Sequence, residues 1–102
     1  MESTKTLEEA LTINSLVLAD FWAEWCGPCR MMNPVIERIK NEYAGRVEVV
    51  KVNADLHPEL TEQYGVQSLP TLIFMKNKEV VLRIVGMTPE VNIKGNLDKM
   101  LG

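Results

Sequence analysis

Seven consecutive residues, Leu16-Val17-Leu18-Ala19-Asp20-Phe21-Trp22, hold six apolar side chains and a single charge. A strand with one wet face would alternate polar and apolar residues, whereas this run does not, as expected of a parallel strand covered on both faces. The period then changes. From Cys29 to Tyr43 the residues Met32, Val35, Ile36, Ile39 and Tyr43 fall on one helical stripe and Glu37, Arg38 and Lys40 on another, with Gly45 beyond as a stop. Pro34 lies inside this helix and is expected to kink it about one turn after the cysteines, because proline gives no backbone donor. Val47 to Asn53 is again rich in β-branched residues. Strand, helix and strand in this order make a right-handed crossover unit, so the two strands are expected to lie parallel.

The remaining segments complete the layers. Thr4 to Ile13 places Leu7, Ala10 and Leu11 at helical spacing, and Thr6 followed by Glu9 has the form of a capping box. His57-Pro58 opens a short helix to Tyr64, ended by Gly65. Thr71 to Met75 and Glu79 to Val85 read as an antiparallel hairpin, although its connector at Asn77-Lys78 lacks the glycine that tight turns prefer. Thr88-Pro89 is read as the cap of a last helix with Ile93, Leu97 and Leu101 inward, which Gly95 weakens slightly. The predicted order is α-β-α-β-α-β-β-α. An α/β fold follows: three layers, with a central mixed sheet of about four strands between helices. A chain of 102 residues suits one domain spanning 1–102.

Charge narrows the partners. The formal net charge is −3 and no basic cluster stands out, so neither nucleic acid nor an anionic membrane is an expected partner. No apolar run reaches membrane-spanning length, and Met1 to Asn14 is polar where a secretory signal needs an apolar core. The expectation is a soluble, cytoplasmic monomer.

In that compartment Cys26 and Cys29, the two cysteines of the chain, point to catalysis, redox exchange or metal binding rather than a structural staple. A disulfide closing so small a ring constrains little of the unfolded chain. Zinc normally takes four ligands, and His57 is the single histidine; a cluster shared between two copies would require a dedicated interface. Redox chemistry fits better. Cys26 at a helix start faces unpaired N–H groups and the positive end of the helix dipole, which favour thiolate, and is expected to be the exposed, reactive sulfur. Cys29, one turn further in, can attack a mixed disulfide on Cys26. Pro28 fixes φ in the turn and Gly27 permits close approach of another chain.

The combination Asp20-Phe21-Trp22-Ala23, Trp25-Cys26-Gly27-Pro28-Cys29, Pro34, Lys51-Val52-Asn53, Asp55, Pro70-Thr71 and Gly86 resembles the thioredoxin family over nearly the whole chain from Val17. The resemblance implies a thiol–disulfide oxidoreductase that reduces protein disulfides, with electron transfer and redox homeostasis as its setting. It needs no cofactor beyond the Cys26–Cys29 pair and is served by a thioredoxin reductase. Cys26 would attack and a buried Cys29 resolve, with Asp20 beneath them exchanging a proton with Cys29 and Lys51 near that carboxylate. Pro70 would be cis, with the backbone of Leu69 pairing briefly with substrate. Trp25, Ser68, Leu69, Val85, Gly86 and Met87 would border a shallow contact surface. The apolar neighbours of Asp20 imply burial, which raises a carboxyl pKa, with Lys51 opposing. His57 is expected at the surface, Trp22 in the core, Trp25 exposed, and Met31, Met32, Met75 and Met100 as core filler.

The chain departs from the family pattern in three places. Arg30 stands where lysine is usual and Lys78 where the hairpin usually has glycine. The residues before Leu16 are too few and too polar to supply the customary first strand easily. Val47 to Asn53 would then form a sheet edge, blunted by Arg46, Glu48 and Lys51. Two further functions compete with the reductase: a disulfide oxidase or isomerase, and a non-enzymatic binding module using the groove near Leu69 and Gly86.

Overall fold

A computed structural model describes residues 6–102. The apolar run forms β1 (Leu16–Trp22), buried at every position. It pairs in parallel with β2 (Glu48–Asn53) and antiparallel with β3 (Thr71–Lys76), which forms a hairpin with β4 (Glu79–Val85). The mixed sheet has the order β2-β1-β3-β4. Among the described residues β2 and β4 are its outer strands.

Alternation along β1 divides the core. Leu16 and Leu18 face α2 (Gly27–Glu42) and α4 (Glu90–Leu101), packing on Met32, Ile36, Ile93 and Leu97. Val17, Ala19 and Phe21 face α1 (Leu7–Ile13) and α3 (Pro58–Gln63), meeting Leu7, Ala10 and Leu60. The same parity turns Asp20 and Trp22 toward α2. On β2, Val49 belongs to the α2 side and Val50 and Val52 to the other, so Lys51 also points at α2.

The capping box forms as expected: the Glu9 N–H donates to Thr6 Oγ1 at 3.1 Å and the Thr6 N–H to Glu9 Oε1 at 3.0 Å. The expected start of that helix at Thr4 lies outside the described residues. α2 begins at Gly27, two residues before the predicted start, and continues through Pro34. Tyr43 closes α2 against α4: its hydroxyl donates to Asp98 Oδ1 at 2.6 Å. Burial, and then the bond to Asp98, push this phenol up to about 12. The surface pairs Arg38–Glu90 and Lys94–Glu42, at 2.8 and 3.0 Å, link the same helices and add little.

Four expectations are corrected. Ile93 and Leu97 are fully buried, but Leu101 is exposed at the last turn of α4. Thr88 is not a helix cap: its hydroxyl turns back to donate to Gly86 O at 3.1 Å, and the cap position is Pro89, with no side-chain bond. Met31 is exposed because Met32, its neighbour on α2, takes the inward position, while Met75 is core on the α1 side of the sheet and Met100 is partly buried against the cluster on the α2 side. Lys51 does not guard the sheet edge, being turned inward and buried. The hairpin forms without glycine by holding both Asn77 (φ 51) and Lys78 (φ 72) left-handed.

Candidate active site

β1 ends at Trp22, and the chain turns through Ala23 to Trp25 before α2 begins. Cys26 is the N-cap of α2: its backbone is extended and its Sγ accepts the N–H of Cys29 at 3.2 Å. A sulfur thus takes one of the donors that every helix start leaves open. Pro28 lies in the first turn, where its missing N–H costs nothing. A Cβ added at Gly27 would meet nothing within 4 Å, so this side of the pair is open to an approaching chain. Cys26 and Cys29 are joined as a disulfide, with Cα atoms 5.3 Å apart.

The expected difference in exposure is absent in this oxidised form. Cys26 is 4% and Cys29 2% exposed, because the pair packs with Trp22, Ala23 and Leu69. What separates the two sulfurs is the helix: Cys26 caps it and Cys29 lies within it.

Asp20 and Lys51 face one another in the β1–β2 register and each is 3% exposed. The Lys51 ammonium donates to Asn33 Oδ1 on α2 at 2.7 Å and stands 4.9 Å from the centroid of the Trp22 ring. Asn33 was not singled out by the sequence reading. The only signal for it is its place one helical turn after Cys29.

The Leu69–Pro70 bond is cis, as the resemblance implied. Thr71 Oγ1 donates to Ser68 O at 2.6 Å, and the Gly86 N–H donates to Pro70 O at 2.8 Å, fastening the end of β4 to this loop. Gly86 has φ +93, a conformation that favours glycine. Leu69 touches the cysteine cluster, Val85 lies opposite Thr71 in register, and Val85 and Met87 are exposed beside Gly86. Trp25 is 69% exposed, and its Nε1–H donates to Asp55 Oδ2 at 2.8 Å. The loop bearing Asp55 is itself shaped by Asn53, whose Oδ1 accepts the N–H groups of Asp55 and Leu56. The exposed apolar side chains among these are Trp25, Val85 and Met87. A groove of about 670 Å³ lies elsewhere, between α1, β2 and α3.

Among the described residues no group of three or more His, Cys, Asp and Glu side chains could hold a metal, and no helix is long and apolar enough to cross a membrane. The thioredoxin family model matches residues 1–99. The chain belongs to the thioredoxin family. It is 45% identical to thioredoxin 1 of Nostoc sp. and 46% identical to thioredoxin 1 of Synechococcus elongatus, in each case over 92% of this chain and 88% of the relative. A mutant thioredoxin from Halobacterium salinarum superposes with a TM-score of 0.89 at 32% identity, covering 100% of this chain and 88% of that one. As a thioredoxin-family protein the chain is a protein-disulfide oxidoreductase whose redox group is its own Cys-Gly-Pro-Cys pair. Proteins of this family act on disulfide-containing substrates and are served by a reductase.

Proposed function

We propose that the protein acts as a monomeric, cytoplasmic single-domain reductase of protein disulfides, with Cys26 as nucleophile and Cys29 as resolving thiol. The observation that carries the assignment is the capping bond: Cys26 Sγ holds the acceptor position at the start of α2. In the reduced protein the same N–H and the helix dipole stabilise a thiolate there, and there alone.

The Cys26 thiolate attacks one sulfur of a substrate disulfide; a Cys26–substrate disulfide forms and the other substrate sulfur leaves as a thiolate that takes a proton. Cys29 gives up its proton and attacks Cys26 Sγ. The Cys26–Cys29 bond closes and the second substrate thiol departs. Two electrons have then passed to the substrate together with two protons, one released by Cys29 and one from solvent, and a thioredoxin reductase restores the dithiol. Asp20, buried on the face toward α2, accepts the Cys29 proton, and Lys51 holds positive charge beside it. An extended substrate segment lies along the backbone of Leu69, with Trp25, Gly27, Pro28, Ser68, Pro70, Val85, Gly86 and Met87 around it.

Trapping tests the reading. Cys29→Ser should accumulate mixed disulfides with protein substrates and Cys26→Ser should not. Limiting alkylation of the reduced protein, followed by peptide mapping, should label Cys26 first. Preferential labelling of Cys29 would reverse the roles.

A further inference from the structure

We infer that Asn33 is a positioning residue for the exchange reaction: its amide oxygen fixes the Lys51 ammonium over Trp22, on the face of the sheet that carries Asp20. The inference rests on the proposed proton transfer between Cys29 and Asp20. Three observations converge on it. Lys51 and Asp20 oppose one another in register and are both buried. The Lys51 Nζ has two partners that define where it stands, Asn33 Oδ1 at 2.7 Å and the Trp22 ring at 4.9 Å. Asn33 sits on α2 four residues after Cys29, so the helix that carries the resolving sulfur also carries the group that holds the cation.

A lysine is a point charge on a flexible stem, and its effect on a neighbouring acid depends on where its head is kept. The charge-assisted bond to Asn33 and the aromatic face together hold the head on the α2 side of the sheet. Asn33 touches no reacting atom; it acts through Lys51. One feature makes the choice of asparagine specific: its oxygen offers an acceptor without a second negative charge, which would oppose ionisation of Asp20 and of Cys29.

Replacing Asn33 by alanine leaves the ammonium one acceptor short and admits water to a half-buried position. The positive field at Asp20 and Cys29 then weakens. The groups that bear on the pH profile are Asp20 on β1, Lys51 on β2 and Cys26 and Cys29 at α2. Arg30 is exposed and donates to the Glu24 carbonyl at 2.7 Å, β3 offers Leu72 opposite Asp20, and Asp55 is bonded to Trp25.

The test is stopped-flow reduction of a protein disulfide by the reduced protein across pH, for Asn33→Ala, Lys51→Met, the double variant and Asp20→Asn. Asn33→Ala should be roughly three- to tenfold slower at pH 7, the order expected when one charge-assisted hydrogen bond is partly replaced by water. The rising limb of its profile should move to higher pH. In the Lys51→Met background the Asn33 substitution should change nothing further. Asn33→Leu, similar in size but without an acceptor, should reproduce the alanine result, separating the lost bond from lost volume. A profile for Asn33→Ala that superimposes on the parent, while Asp20→Asn and Lys51→Met are displaced, would overturn this inference alone. So would an undiminished Asn33 effect without Lys51. Unchanged profiles for Asp20→Asn and Lys51→Met would remove the proton-transfer reading and this inference with it.

Discussion

Trp25 donates its indole N–H to Asp55 across thirty residues of sequence, at 2.8 Å, while most of its ring remains in solvent. The bond ties the turn before Cys26 to the loop after β2 and sets the orientation of an aromatic face beside the redox pair before any substrate arrives. An exposed ring held in this way has already given up rotamer freedom that docking would otherwise remove. Asp55→Ala should therefore raise KM for a protein disulfide by about two- to fivefold, the scale of one modest hydrogen bond, with kcat little changed. Reduction of a small soluble disulfide, which does not lean on the indole, should be unaffected. Steady-state kinetics with both substrates decide the matter.

The hairpin between β3 and β4 offers a change in stability without a change in chemistry. Lys78 holds φ 72, where a side chain crowds the backbone and glycine does not. Lys78→Gly should stabilise the protein by about 0.5–1 kcal/mol, the steric relief less the extra freedom of glycine in the unfolded chain. Denaturant midpoints measure this, and exchange rates at the cysteines should not move. A loss of stability would mean that the lysine side chain makes compensating contacts.

Much of this architecture was legible in the chain because local signals and tertiary demands agree. The Leu16–Trp22 run could satisfy six apolar side chains only between two helical layers, and β1 is buried throughout. The α2 stripe and the Thr6–Glu9 box are equally local. The site was legible at Cys26 and Cys29, where spacing carries chemistry. The cis bond before Pro70 came from the family resemblance, since an X-Pro pair alone does not specify it. What escaped depends on which way a side chain turns. Thr88 before Pro89 looks like a cap, yet its hydroxyl is used by Gly86. Lys51 in a strand near the sheet edge looks like a solvent charge, yet the pleat turns it inward to Asn33. The exposure of Cys26 was overestimated because the covering group, Leu69, comes from a distant loop.

The Tyr43–Asp98 contact makes a pH prediction. Tyr43 is held up to about 12 by burial first and by donation to Asp98 second, against an ordinary value near 10. Because the folded value is the higher one, its contribution to stability is complete below about pH 10 and is lost as pH rises through about 12. Asp98→Asn removes the anionic acceptor but leaves the burial. The phenol should then ionise earlier than in the parent and still later than a free tyrosine. Near-ultraviolet titration of phenolate absorbance reads this directly, and denaturant midpoints between pH 10 and 12 should fall less steeply in the variant. Identical titrations would show that burial acts alone.

Asp20 carries the sharpest conflict between stability and chemistry. It is 3% exposed within a strand whose other residues are apolar, and a carboxylate taken out of water is costly. Lys51 opposite offsets part of that cost, but its ammonium is drawn toward Asn33 and Trp22, so desolvation is expected to prevail. A carboxyl that keeps its proton to higher pH in the folded state than in the unfolded chain stabilises most below the unfolded pKa, about 3.9, and loses that contribution as pH rises through the folded value. Asp20→Asn cannot ionise and is spared the loss. It should be more stable than the parent at pH 8, where the parent has to carry the ionised carboxylate in the core. The gain should shrink toward zero in acid, where the parent is protonated as well. Lys51 keeps its amide and aromatic partners in the variant, which limits the penalty of an uncompensated buried charge. Disulfide exchange should slow in the same variant if Asp20 is the acceptor proposed for the Cys29 proton. Denaturant unfolding at pH 8 and pH 4 beside stopped-flow exchange measures both halves: a variant less stable at pH 8 and as fast as the parent would show that Asp20 is an ordinary partner of Lys51 and takes no proton.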